Sequence, residues 1–118
     1  MIECLVVGIG GFIGAICRYL MGLIPIKVTF LNTMIINIIG AMVIGLVVAL
    51  GSKYPLDNRV ILFLKTGICG GFTTFSTFSL ETVDLISNGK VLTAFIYAVL
   101  TVIFCILAVW FGKCIVVK

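Results

Sequence analysis

The sequence predicts an all-α membrane protein of four transmembrane helices, the third broken near its middle. Three observations predict it. Of the 118 residues, 63% are hydrophobic and 10% are charged, whereas a soluble domain carries about a quarter charged residues. Apolar runs fall at 4–24, 30–52, 60–86 and 91–113, each long enough to cross a hydrocarbon core of about 30 Å. Inside the third run, GGFTTFSTFS (70–79) sets two glycines and five hydroxyl residues in the middle of an apolar span.

The first span opens MIECLVVG, without a basic leading segment, and Arg18 interrupts where a signal peptide would be finishing its apolar core. It reads as a retained span, ended by Pro25 and Lys27. Within GIGGFIGAICRYLMG (8–22), Gly8, Gly11, Ala15, Arg18 and Gly22 recur at helical spacing and share a face. Gly10 and Gly14 form a GxxxG pair beside it, the pattern of closely packed membrane helices. Arg18 on this small-residue face has two readings: snorkelling to the interface, or facing a water-filled vestibule and attracting anions.

The second span carries Asn32 near its start, as a cap, and Asn37 deeper, in line with Gly40, Ala41 and Gly45. An unpaired amide at that depth is costly. Asn37 therefore either bonds to a neighbouring helix or presents its NH₂ to a passing anion. SKYPLDNR (52–59) separates the second span from the third, and Ser87-Asn88-Gly89-Lys90 turns the third into the fourth. The fourth span aligns Ala94, Tyr97, Thr101, Cys105 and Ala108. Its hydroxyls are a candidate pore wall, unless Tyr97 belongs to an interfacial belt or Thr101 bonds back to a carbonyl one turn earlier.

In the third span Gly67, Gly70 and Gly71 each lower helix propensity by about 1 kcal/mol. Thr73, Thr74, Ser76, Thr77 and Ser79 offer local alternatives to helical hydrogen bonds. These residues predict a break within 70–76. Backbone groups freed there must be buried in protein or line a polar site; freed carbonyls suit a small hard cation such as Na⁺, and half-helix N-termini suit anions. Phe75 and Phe78 are three apart, and their ring edges carry partial positive charge.

An even number of spans puts both termini on one side. That side collects Lys53, Arg59, Lys65, Lys113 and Lys118, against Arg18, Lys27 and Lys90 on the other. Such a small bias fits either cytoplasmic termini or a dual topology in which copies insert both ways. Four short helices cannot both enclose a polar path and shield it from lipid, so transport implies an oligomer. Two opposed copies would have the two-fold axis in the membrane plane that many transporters obtain from inverted repeats.

Composition argues against an enzyme. The chain has no histidine, five cysteines without a CxxC pair, and four scattered acids: Glu3, Asp57, Glu81 and Asp84. Zinc and disulfide frameworks are disfavoured, the commonest general base is missing, and no nucleotide-binding or nucleic-acid-binding motif is present. A proton-coupled four-span multidrug exporter is the alternative, but it wants an acid deep in the bilayer. A non-transporting assembly subunit would explain the glycines but not the hydroxyl-rich stretch.

GGFIGAICRY (10–19), NIIG (37–40) and GICGGFTTFSTFSLE (67–81) together resemble the Fluc (CrcB) family of fluoride channels, across all four spans in order. The resemblance implies a fluoride-selective channel that passively exports the ion across the plasma membrane of a bacterium. It implies an antiparallel dual-topology dimer, of two identical chains or of oppositely biased paralogues. A structural, non-transported sodium ion at the dimer centre would be held by the carbonyls of Gly70 and Thr73. On matching positions the ion pathway comprises Asn37, Phe75, Phe78, Ser76, Thr77, Tyr97 and Thr101, with Glu81 near its far end and Arg18 in the vestibule. Cys105 stands where the family often carries serine, and Asn32 where it often carries glycine.

Overall fold

A computed structural model describes residues 1–117; Lys118, counted above among the basic residues, lies outside the described residues. Four helical segments are long and apolar enough to cross a membrane: Ile2–Gly22, Thr29–Lys53, Asn58–Ser87 and Val91–Val117. The first two are α1 and α2. The third is composite: a short α3 (Asn58–Ile61), a π-helical segment (Leu62–Cys69), α4 (Gly70–Phe72) and α5 (Phe75–Ser87). The fourth is α6 (Val91–Val117).

Contacts fix the directions of the chain. α1 runs parallel to the π-segment and α4: Gly10 lies against Phe63 and Gly67, and Gly14 against Ile68 and Phe72. α2 runs parallel to α6, with Gly45 against Val109 and Lys53 Nζ donating to the Val116 carbonyl at 3.2 Å. α2 and α5 are antiparallel, since Thr33 reaches Glu81 while Asn37 reaches Thr74. The four spans therefore alternate up and down, and Ile2 and Val117, the outer ends of the first and last spans, lie at the same face.

Glycine permits the close approaches. A Cβ on Gly10 would stand 2.6 Å from the Phe63 carbonyl oxygen, and one on Gly14 would collide with that of Ile68. The GxxxG pair thus accepts backbone carbonyls of the wide π-segment, a contact any side chain would block. α5 ends at Ser87, and just past its cap Gly89, with a φ of 78°, lets Lys90 N–H return to the Leu85 carbonyl at 2.8 Å.

The π-segment was not foreseen, and the ends of the spans differ by a few residues; α6 continues past Lys113 to Val117. Inward packing centres on Met34, Phe78 and Tyr97. The stripe Ala94, Tyr97, Thr101 and Ala108 is the buried face of α6, while Ile103, Ile106 and Leu107 of the same helix stand exposed, as lipid-facing residues do.

Candidate functional site

The backbone leaves helical geometry at two residues, Thr73 (φ −80°, ψ 155°) and Thr74 (φ −147°, ψ 115°), and resumes it at Phe75. Asn37 holds this interruption from the side. Its Oδ1 accepts the Thr74 N–H at 2.8 Å and its Nδ2 donates to the Thr74 carbonyl at 3.1 Å. In a continuous α-helix the Thr74 N–H would serve the Gly70 carbonyl; diverted to Asn37, it leaves that carbonyl without its helical donor. Asn37 thus makes the interhelical bond, and it also lines a cavity beside the interruption.

The Cys69 carbonyl keeps its helical donor, the Thr73 N–H at 3.0 Å, and also accepts the Thr73 hydroxyl at 2.8 Å. Other groups at the interruption are partly answered within the chain. Arg18 Nε donates to the Gly71 carbonyl at 3.1 Å. Thr74 caps α5: its hydroxyl accepts from Thr77 N–H at 3.1 Å, lies 3.0 Å from the Thr77 hydroxyl and 3.3 Å from that of Ser76. Among the described residues no side chain donates to the carbonyls of Gly70 or Thr73.

Two cavities flank the interruption. One, of about 360 Å³, is lined by Asn37, Lys65, Thr73, Phe75, Phe78 and Thr101 among others. The second, of about 340 Å³, is lined by Arg18, Asn32, Thr33, Thr77 and Glu81 among others. Thr74 belongs to both walls. Arg18 thus does two things: it binds the Gly71 carbonyl and lines the second cavity. Asn32 ties α2 to the end of α1 by donating to the Met21 carbonyl at 3.1 Å.

The paired phenylalanines are not equivalent. Their ring centroids are 5.5 Å apart at an interplanar angle of 54°. Phe78 is 8% exposed and meets Tyr97 edge-on at 5.1 Å, whereas Phe75 is 78% exposed. Tyr97, 1% exposed, is a core residue and lines neither cavity. Its hydroxyl donates to Glu81 at 3.0 Å, and Thr33 donates to the other carboxylate oxygen at 3.0 Å. Glu81 is therefore held on both oxygens. Thr101 does not bond back along α6: its buried hydroxyl has no partner among the described residues, and it lines the first cavity beside Cys105.

Three residues escaped sequence reasoning. Thr33 lies one turn before Asn37, and that i, i+4 spacing was the available signal. Thr74 was one hydroxyl among five. Lys65 was counted only among the basic residues of one side, and it lines the first cavity.

A model of the family described as CrcB-like protein, Camphor Resistance (CrcB), matches residues 5–113. Relatives bearing the name fluoride-specific ion channel FluC are similar over nearly the whole chain. One from Ruminiclostridium cellulolyticum is 46% identical over 96% of this chain and 91% of its own length. One from Gloeothece citriformis is 41% identical over 95% and 94%, and one from Methanocaldococcus jannaschii 39% over 94% and 91%. With the family model spanning all four helices and relatives well above a third identical, the chain belongs to the CrcB-like family.

Proposed function

We propose that this protein is a fluoride-selective channel, not an enzyme, and that it passively exports fluoride through a path along α2, the interrupted third span and α6. The observation that carries the reading is the composition of the first cavity. Amide, hydroxyl and ring-edge groups from Asn37, Thr101, Phe75 and Phe78 share one wall, and Lys65 is the charged residue on it. Fluoride is small and strongly hydrated, so its water must be exchanged for donors that do not hold it too firmly. Neutral N–H and O–H groups and aromatic edges meet both conditions. Thr74, on both walls, would pass the ion toward Thr77 and Ser76.

Passive flow is enough for export. A negative-inside potential of 100 mV drives an anion outward with about 2.3 kcal/mol per charge. Neutral HF crosses lipid and dissociates inside, and the channel returns the ion. Such a role belongs in the plasma membrane of a bacterium, and the four membrane-spanning segments support a multi-pass protein.

A second copy completes the path. The chain is a slab whose smallest extent is 23 Å, the first cavity is open, and Phe75 stands uncovered. An antiparallel partner, identical or paralogous, would cover both, and the near-even split of basic residues supports opposed insertion. The carbonyls of Gly70 and Thr73 fit a sodium ion. The first has lost its helical donor to Asn37, and the second precedes the α5 cap. Bound there by both copies, the ion would neutralise converging carbonyl dipoles and fix the interruption.

The test is efflux from liposomes holding purified protein, read with a fluoride electrode, with chloride as control. Fluoride efflux without chloride efflux is expected; equal passage of both, or of neither, overturns the proposal. Loss of flux when sodium is replaced by a large cation on all sides is expected of the sodium site.

A further inference from the structure

We infer that Lys65 gathers anions into the first cavity and sets the rate of conduction, a role that rests on the channel reading above and adds a charged residue to it. Lys65 lies seven residues into the span Asn58–Ser87, within the π-segment Leu62–Cys69. The cavity it lines is also walled by Ile44, Cys105 and Val109. These belong to the interior turns of α2 (Thr29–Lys53) and α6 (Val91–Val117), so the cavity reaches well into the membrane.

Lys65 is itself exposed, so its ammonium can stay hydrated at the mouth of this cavity, and among the described residues no anion neutralises it. The one ion pair is that of the Met1 amino group with Glu3 at 3.6 Å, and Lys65 takes part in no side-chain hydrogen bond. None of the four carboxylates lines this cavity; Glu81 lines the other one, beside Arg18. The two cavities therefore differ in charge: the second holds a cation with an anion, the first a cation alone.

A second observation in the same wall points to the same ligand. Thr101 is 6% exposed and its hydroxyl has no partner. A buried donor without an acceptor and a cation without a counter-ion are both satisfied by a small anion. Lysine suits gathering rather than recognition, because its ammonium is a point charge on a flexible stem. A helical side chain leans toward its helix's N-terminus, which puts the charge on the Asn58 side of the phenylalanines. From there it raises the local anion concentration without distinguishing fluoride from chloride.

The experiment compares wild type, Lys65→Gln and Lys65→Arg in liposomes, at low and high concentrations of an impermeant salt, with dimer content measured by cross-linking. At low salt Lys65→Gln is expected to slow fluoride efflux about tenfold, the lower end of electrostatic steering effects. Lys65→Arg keeps the wild-type rate. The gap closes at high salt, since the screening length falls from about 10 Å at 0.1 M to about 3 Å at 1 M. The preference for fluoride over chloride is unchanged. Wild-type rates in Lys65→Gln at low salt overturn the inference. So does a loss that is indifferent to salt and shared by Lys65→Arg, which would mark a packing role. Should Lys65→Gln fail to assemble, the wild type carries the test alone, and a rate indifferent to impermeant salt refutes it. Absence of fluoride efflux in wild type overturns the channel reading itself, whereas wild-type efflux with an indifferent Lys65→Gln overturns only this inference.

Discussion

Replacing Asn37 by alanine tests the site at its structural root. The side chain makes two bonds to one backbone unit, Thr74 N–H at 2.8 Å and Thr74 C=O at 3.1 Å. Each such bond contributes about 0.6 to 1 kcal/mol net within a membrane, and a buried N–H left unpaired costs about 1 to 3 kcal/mol. If the interruption persists in Asn37→Ala, the expected loss of stability is about 2 to 4 kcal/mol. If the freed N–H instead returns to the Gly70 carbonyl, part of that loss is recovered, but the helix knits together and Gly70 no longer faces a cation. Either branch abolishes sodium-dependent fluoride efflux. Asn37→Asp separates the parts: it keeps the acceptor for Thr74 N–H, removes the donor and adds a negative charge. Its stability should fall to that of Asn37→Ala or below, because an unpaired carboxylate at this depth faces the Thr74 carbonyl, with no fluoride flux. The assays are denaturant unfolding in detergent and electrode-detected efflux. An alanine variant that unfolds at the wild-type midpoint and conducts at the wild-type rate refutes the reasoning.

Thr101→Val removes a buried hydroxyl that has no partner, so unfolding should show equal or greater stability while fluoride efflux falls; a clear loss of stability would mean that the hydroxyl is bonded. Gly71→Ala drives a methyl group onto the Gly11 carbonyl, whereas Gly8→Ala meets nothing within 4 Å. The first should lose folded protein in gel filtration and the second should match wild type. Phe75→Ile and Phe78→Ile should both abolish fluoride efflux, but only Phe78→Ile, which loses its edge contact with Tyr97, should lower stability, by about 1 kcal/mol.

The four spans were legible because length and hydropathy suffice to find a membrane helix. The stretch 70–79 was legible as a weak helix, because glycine and hydroxyl residues act locally. Which residues leave the helix was not, since Asn37 decides it from a separate helix. The spacing of Phe75 and Phe78 put them on one face, but only tertiary packing makes one ring core and the other exposed. Tyr97 follows the same logic: its stripe on α6 was visible, while its bond to Glu81 depends on how α5 meets α6. The place of Lys65 on a cavity wall was not legible, because a basic residue near a span's start looks like an orientation signal and the π-segment that carries it has no sequence signature.

The distribution of partners around the interruption is itself an argument for a cation. A broken membrane helix frees several carbonyls, and each must be answered. The chain answers Gly71 with Arg18, while the Cys69 carbonyl keeps its helical donor, the Thr73 N–H. It had the means to answer the Gly70 carbonyl too, since the natural donor is the Thr74 N–H, but that donor is turned away to Asn37. A fold that merely tolerated a kink would return that N–H to Gly70. Diverting it leaves the Gly70 carbonyl open to the cation proposed above. Gly70 is exposed, with open space where a side chain would stand, so the ligand's other half can come from a second copy. On the proposed function Asn37 would couple two roles: it lines the first cavity and, by accepting the Thr74 N–H, leaves the Gly70 carbonyl without its helical donor. Changing it should disturb fluoride conduction and sodium dependence together, whereas Thr101→Val should disturb only the first.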